Sequence, residues 1–63
     1  MRAYQVGDIL RHKLMESYIE VIQYIGSDNY VVRRIEIDVK LSASHAQLSQ
    51  NWQLLSSLEK ELL

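Results

Sequence analysis

Neither cysteine nor proline occurs in the 63 residues of this chain. Without Cys no disulfide framework exists, and His12 and His45 are too few for a structural zinc site. A chain of this length lies near the lower limit at which one hydrophobic core supports a fold. One domain fits, and its stability has to come from dense apolar packing or from a partner subunit. The hydrophobic share of 48% and the missing Pro are those of a folded protein, not of a linker. No low-complexity tract, internal repeat or Pro/Gly-rich stretch marks a boundary.

Absent too is any run approaching the ~18 to 20 apolar residues of a membrane span. The start MRAYQVGD lacks the charged-then-apolar layout of a signal peptide, so the expected setting is cytoplasmic, with no membrane partner. Seven basic residues against eight acidic ones give a formal charge of -1, which does not support a general grip on phosphate backbone. Catalytic signals are equally sparse. No Gly-x-Ser-x-Gly elbow surrounds any Ser, and Gly7 and Gly26 stand too far apart for a phosphate loop. His12 sits between Arg11 and Lys13, whose charges oppose both its protonation and metal binding, so it reads as a solvated strand histidine. His45 reads as a surface residue, and Glu59, Lys60 and Glu61 as a wet helix face. The expectation is a protein that is not an enzyme and takes no metal or cofactor.

What is present is mostly strand-like. Residues 4–14, YQVGDILRHKL, read as a first strand entered through a turn at Gly7 and Asp8. Residues 18–25, YIEVIQYI, are β-branched and aromatic types that suit a pleated, half-buried surface. Gly26, Ser27, Asp28 and Asn29 then form a turn, and Tyr30, Val31 and Val32 return, making a β-hairpin. From Ile35 to Leu41 the alternation is strict, which predicts a strand burying Ile35, Ile37, Val39 and Leu41 and exposing Glu36, Asp38 and Lys40. That phase conflicts with Tyr30 and Val32, and predicts a bulge near Arg33 and Arg34. Beyond Lys40 no Val, Ile or Thr remains. Two readings stand for this segment. Leu48, Trp52, Leu55, Leu58 and Leu62 fit one amphipathic helix over 44–62, opened by a capping box of Ser44 and Gln47. A second capping box of Ser56 and Glu59 favours a broken span: a helical turn at 46–50, a strand at 51–55, and a short helix from Ser57.

In order, YQVGDILRHK, YIEVIQYIGSDNYVVRR and LSASHAQLSQNWQLL resemble the small SH3-like (Tudor/KOW-like) β-barrels of bacterial and phage proteins. In such domains a Val-Gly-Asp entry, here Val6, Gly7 and Asp8, leads into the first strand. A bent central hairpin follows, and a short helical turn anchored by one apolar residue, here Leu48, precedes a closing strand, here Trp52 to Leu55. The resemblance implies a mainly β fold, a small barrel of about five short strands over 1–55 with a short helical tail over 56–63. The alternative is a three-stranded antiparallel sheet with one long C-terminal helix. The chain departs from the pattern between the third and fourth strands, where the usual Gly-containing turn is missing.

Arg11, Lys13, Arg33 and Arg34 are candidates for a basic strand patch, with Tyr18, Tyr24 and Tyr30 as exposed anchors beside it. Tyr is an amphipathic interface residue, and a core of this size is not expected to enclose all four. The bland alternative is that Glu20, Glu36 and Asp38 neutralise the arginines across strands. The leading expectation is a non-catalytic protein-binding module, an adaptor, regulator or inhibitor, that docks on another protein through these residues. The alternative is a nucleic-acid-binding small barrel using the same patch. Leu55, Leu58, Leu62 and Leu63 exceed what a short tail needs, and suggest a homodimer through that tail.

Overall fold

The computed structural model describes residues 3–61. Five strands, β1 (Ile9–His12), β2 (Tyr18–Gly26), β3 (Asn29–Arg34), β4 (Val39–Ser44) and β5 (Trp52–Leu54), form one open antiparallel sheet in the order β4-β3-β2-β1-β5. Two short helices complete it, α1 (His45–Asn51) between β4 and β5, and α2 (Ser57–Glu61) after β5. The fold is mainly β, as the strand-rich pattern implies, and the single helix over 44–62 is not formed. Local chemistry explains why. Ser44 Oγ accepts from the backbone N–H of Gln47 at 3.2 Å, while the Ser44 N–H donates to Gln47 Oε1 at 2.9 Å. That capping box opens α1 at the expected place. Ser56 and Glu59 repeat the exchange, with the Ser56 N–H donating to Glu59 Oε1 at 3.0 Å and the Glu59 N–H to Ser56 Oγ at 3.2 Å. Both boxes satisfy helix-start donors, so the chain ends one helix, passes through β5 and starts another.

The turn between β2 and β3 is a two-residue loop in which Ser27 and Asp28 have φ of 53° and 58°. Positive φ at both central positions twists the loop in the same sense as its strands. Gly7 enters β1 with φ of 97°, a conformation open to glycine at no steric cost.

Two expectations fail between β2 and β4. Ile35 to Asp38 form a turn, not the start of a strand, closed by the Asp38 N–H donating to Arg34 O at 2.8 Å. Asp38 takes the left-handed position at φ 52° that a glycine would otherwise fill, because a short acceptor side chain tolerates it. Ile37 is therefore 58% exposed and Ile35 also lies at the surface, so the alternation through them carries no strand phase. The bulges fall elsewhere too. The β3–β4 register runs unbroken, whereas β2 slips against β3 between Val21 and Gln23 and again between Tyr24 and Gly26. The bend that coils the sheet lies in β2, and none is needed at Arg33 and Arg34 once residues 35–38 are a turn.

Coiling gathers Tyr4, Leu10, Ile19, Val21, Tyr30, Val32 and Leu48 into one core, with Tyr24, Ala43 and Trp52 packed against it. Tyr30 is its centre, meeting Tyr4 edge-on at 5.4 Å and Tyr24 at 5.2 Å between ring centroids. Val21→Asp should unfold the chain, since a buried unpaired carboxylate costs several kcal/mol, of order the whole stability of a small domain. Ile37→Asp should leave the melting temperature within a few degrees of the parent's. A cooperative, unshifted transition for Val21→Asp would show that Val21 is not in the core.

Candidate functional site

Strand pairing sorts the expected site residues onto two faces, because residues opposite one another share a face. Arg11 pairs with Tyr18 and with Gln53. Arg33 pairs with Glu20 and Lys40 on the same outer face, while Arg34, opposite Ile19 and Val39, belongs to the inner face. The four basic residues expected in one patch are thus divided. Lys13, Arg33 and Arg34 are also engaged locally. Arg33 binds Glu20 at 2.7 Å and Asp38 at 3.4 Å, and the hydrogen bond to Glu20 is the main cause that holds its guanidinium above its ordinary pKa. Arg34 donates through Nη2 to Ser17 Oγ at 2.8 Å, and its Nε lies 3.7 Å from Glu36 Oε2. Lys13 Nζ donates to Ser49 O at 3.0 Å. Cross-strand and local neutralisation by Glu20, Glu36 and Asp38 is the arrangement adopted.

The tyrosines divide as well. Tyr30, expected as a surface anchor, is fully buried, because β3 turns it inward beside Val32. Tyr24 is half-buried against the core, and Tyr18 is half-buried on the outer face beside Arg11. A tyrosine-lined surface is therefore not assembled. His12 is no free strand histidine: its Nδ1 accepts from the Leu14 N–H at 3.1 Å and its ring meets Trp52 edge-on at 4.9 Å. Of the leucines expected to form a dimer seam, Leu55 is buried and Leu58 exposed, while Leu62 and Leu63 lie outside the described residues.

The feature that pattern reading missed is a cleft of about 240 Å³ between β4 and α1. Ile19, Val32, Leu48 and the stem of Arg34 make its floor, Leu41, Ser42 and Ala43 one wall, and Gln47, Asn51 and Trp52 the other. Leu41 and Ala43 point inward with Val32 and Tyr30, whereas Ser42 points outward with Val31. Ile19, Val32, Arg34, Leu41 and Ala43 all belong to the inner face, so the cleft opens on that face beside β4, an edge strand of the sheet. That edge is apolar: Val39 and Leu41 are 42% and 50% exposed. The spacing of Gln47 and Asn51, one helical turn apart and just ahead of Trp52, was the signal in the sequence.

An apolar floor with amide and hydroxyl groups at the rim accepts a hydrophobic side chain and hydrogen-bonds a backbone. Among the described residues no group of three or more His, Cys, Asp or Glu side chains comes together to hold a metal, and no helix is long and apolar enough to cross a membrane. Comparison of the chain with family models, curated proteins and solved structures returns no match to any of them.

Glu36 ties the site's edge to the start of β2. Its Oε1 accepts from the Tyr18 N–H at 2.6 Å, and this bond, its own backbone N–H, Ser17 and Arg34 hold its carboxyl below the ordinary value. Glu59 is lowered chiefly by the Ser56 N–H. Folded pKa values below the unfolded ones stabilise the fold above the ordinary carboxylate value of 4.5 and lose that stabilisation as pH falls through the depressed values. The melting temperature should therefore drop on acidification below that value. Glu36→Gln should melt lower than the parent at pH 7 and fall less steeply in acid; an unchanged acid slope would remove Glu36 as a cause.

Proposed function

We propose that this chain is a non-catalytic protein-binding module, an adaptor, regulator or inhibitor of SH3-like layout acting in the cytoplasm, whose docking surface is the cleft along β4. The single observation that carries the reading is an apolar strand edge, Val39 and Leu41, lying open beside an amide-rimmed cleft. An exposed edge offers unpaired backbone groups to an extended segment, and alternate side chains of that segment enter the adjoining pocket. The strand order, with a short helix between β4 and β5, supports the SH3-like layout. The carboxylates on Arg33 and Arg34 argue for a protein partner over a phosphate backbone, since each charge already neutralised releases fewer counterions.

Cross-linking in the native host followed by mass spectrometry tests the proposal, with Leu41→Lys as the paired variant. Leu41 is half exposed, so the variant should fold normally and lose at least about tenfold of the captured partner. Undiminished capture by Leu41→Lys would move the docking surface elsewhere. Fluorescence anisotropy with single-stranded RNA and DNA at low salt should show no binding, and an affinity that falls steeply with salt would restore the nucleic-acid reading.

A further inference from the structure

The backbone of β4 fixes how a segment can dock along it. In an antiparallel ladder the residues of an edge strand alternate between exchanging hydrogen bonds with the neighbouring strand and pointing their N–H and C=O away from the sheet. Two bonds at the ends of β3 set the phase. The Ile35 N–H donates to Tyr18 O at 3.1 Å on the β2 side, and the His45 N–H donates to Asp28 O at 2.7 Å on the β4 side. Counting inward from them, Val39, Leu41 and Ala43 use their backbone groups on their register partners Arg34, Val32 and Tyr30. Lys40, Ser42 and Ser44 therefore point theirs outward. The Ser44 N–H is already taken by Gln47 Oε1 at 2.9 Å, which closes the edge where α1 begins. Lys40 and Ser42 stay open, each exposed and each offering one donor and one acceptor.

Pairing with those two residues fixes which way a docked segment's side chains go. The residue set opposite Leu41 points to the inner face, where Leu41, Val32 and Trp52 line the cleft, and an apolar side chain suits it. Its two neighbours point to the outer face, against Lys40 and Ser42. Lys40 differs from the arginines of β3. Arg33 holds Glu20 and Asp38, and Arg34 lies against Glu36, whereas Lys40 has no ion pair among the described residues. Asp38, two positions before it, is turned to Arg33 at 3.4 Å. Lys40 is also the one charge in β4, so a carboxylate is what a strand added there needs at that place. We propose that the occupant of this edge is an extended acidic and apolar segment of a partner protein. It runs antiparallel to β4, the more stable sense per residue, with an apolar side chain over the cleft at Leu41 and a carboxylate beside Lys40. From its N-terminus the segment then presents a polar residue at Ser42, the apolar one, and the acidic one. It uses the docking surface of the proposed function, on which this assignment rests.

Titration of the full chain with the peptide acetyl-SVSLEVS-amide, followed by nitrogen–proton correlation spectra, tests the assignment. In the antiparallel register its Leu falls opposite Leu41, its Glu opposite Lys40, and its two Val opposite Ala43 and Val39. A contact of so few residues is smaller than the ~1,200 Å² of stable interfaces, so the expected dissociation constant is on the order of 500 µM. The Lys40 and Ser42 amides should shift and exchange more slowly with solvent, while the Leu41 amide, already bonded to β3, changes little. Replacing the peptide's Glu by Lys should weaken binding about fivefold, and so should Lys40→Glu in the protein. Combining the two changes should restore binding, and the whole pattern should fade with added salt. Lys40 is exposed, so the circular dichroism spectrum of its variant should match the parent's. If parent and Lys40→Glu bind both peptides equally, the acidic character is refuted while docking of an extended segment on this surface stands. If no peptide moves the Lys40 and Ser42 amides at millimolar concentration, strand addition itself is overturned. Partner capture by Leu41→Lys then decides separately whether the docking surface survives. Lys40 and Ser42 amides that shift with the concentration of the chain alone would make a second copy the occupant and overturn the proposal.

Discussion

Bending of β2 is the constraint on which the rest of the molecule depends. This nine-residue strand pairs with β1 on one side and β3 on the other, and its two register slips coil the sheet around its inner face. A flat five-stranded sheet of this size would leave that face half wet, with only two helices of seven and five residues to cover it. Coiling lets the same face cover itself, so Tyr30 is enclosed by Tyr4, Tyr24 and the aliphatic side chains of β1, β2 and α1. The chain has no cysteine, and among the described residues no cluster of side chains comes together to hold a metal, so the core is closed by apolar packing.

The coiled sheet does not join its ends: β4 and β5 remain its two edges, with α1 between them in the chain. The cleft is the product of that incompleteness. Leu48 reaches the core from α1 and is buried, but α1 is too short to cover the length of β4, so Val39 and Leu41 stay open to solvent. An edge of this kind is a liability for a protein that must stay alone and an asset for one that binds. Part of the apolar surface that the core does not enclose lies here, on an edge strand; an open edge beside apolar side chains is the combination from which docked segments in general draw register and affinity.

Charge in this molecule works over short distances. Arg33 is held by Glu20 and Asp38, Arg34 by Ser17 and Glu36, and Glu36 in turn caps the start of β2 through the Tyr18 N–H. These contacts link the β3–β4 turn to the β1–β2 loop and to the strands between them. Being at least partly exposed, they contribute modestly one by one; their role is to hold the turn at residues 35–38 in place without a glycine. The same economy appears in the two capping boxes, where each helix start is settled by a pair of side chains three residues apart.

Local statements in the sequence were legible as such. Ser44 with Gln47 and Ser56 with Glu59 marked both helix starts, and Gly26 to Asn29 marked the hairpin turn, because each depends on residues within one turn of chain. The β-branched and aromatic run at residues 18–25 likewise marked β2, whose Ile19 and Val21 lie in the core. The stretch from Ile35 to Leu41 misled for a physical reason: alternation reports a face only where the chain is a strand, and a tight turn with Asp38 at positive φ leaves the same pattern in the letters. Which tyrosines are buried, which carboxylate meets which arginine, and the cleft itself depend on how far β2 coils and where α1 crosses β4. Those are distances between residues far apart in the chain, and only the packed tertiary structure decides them.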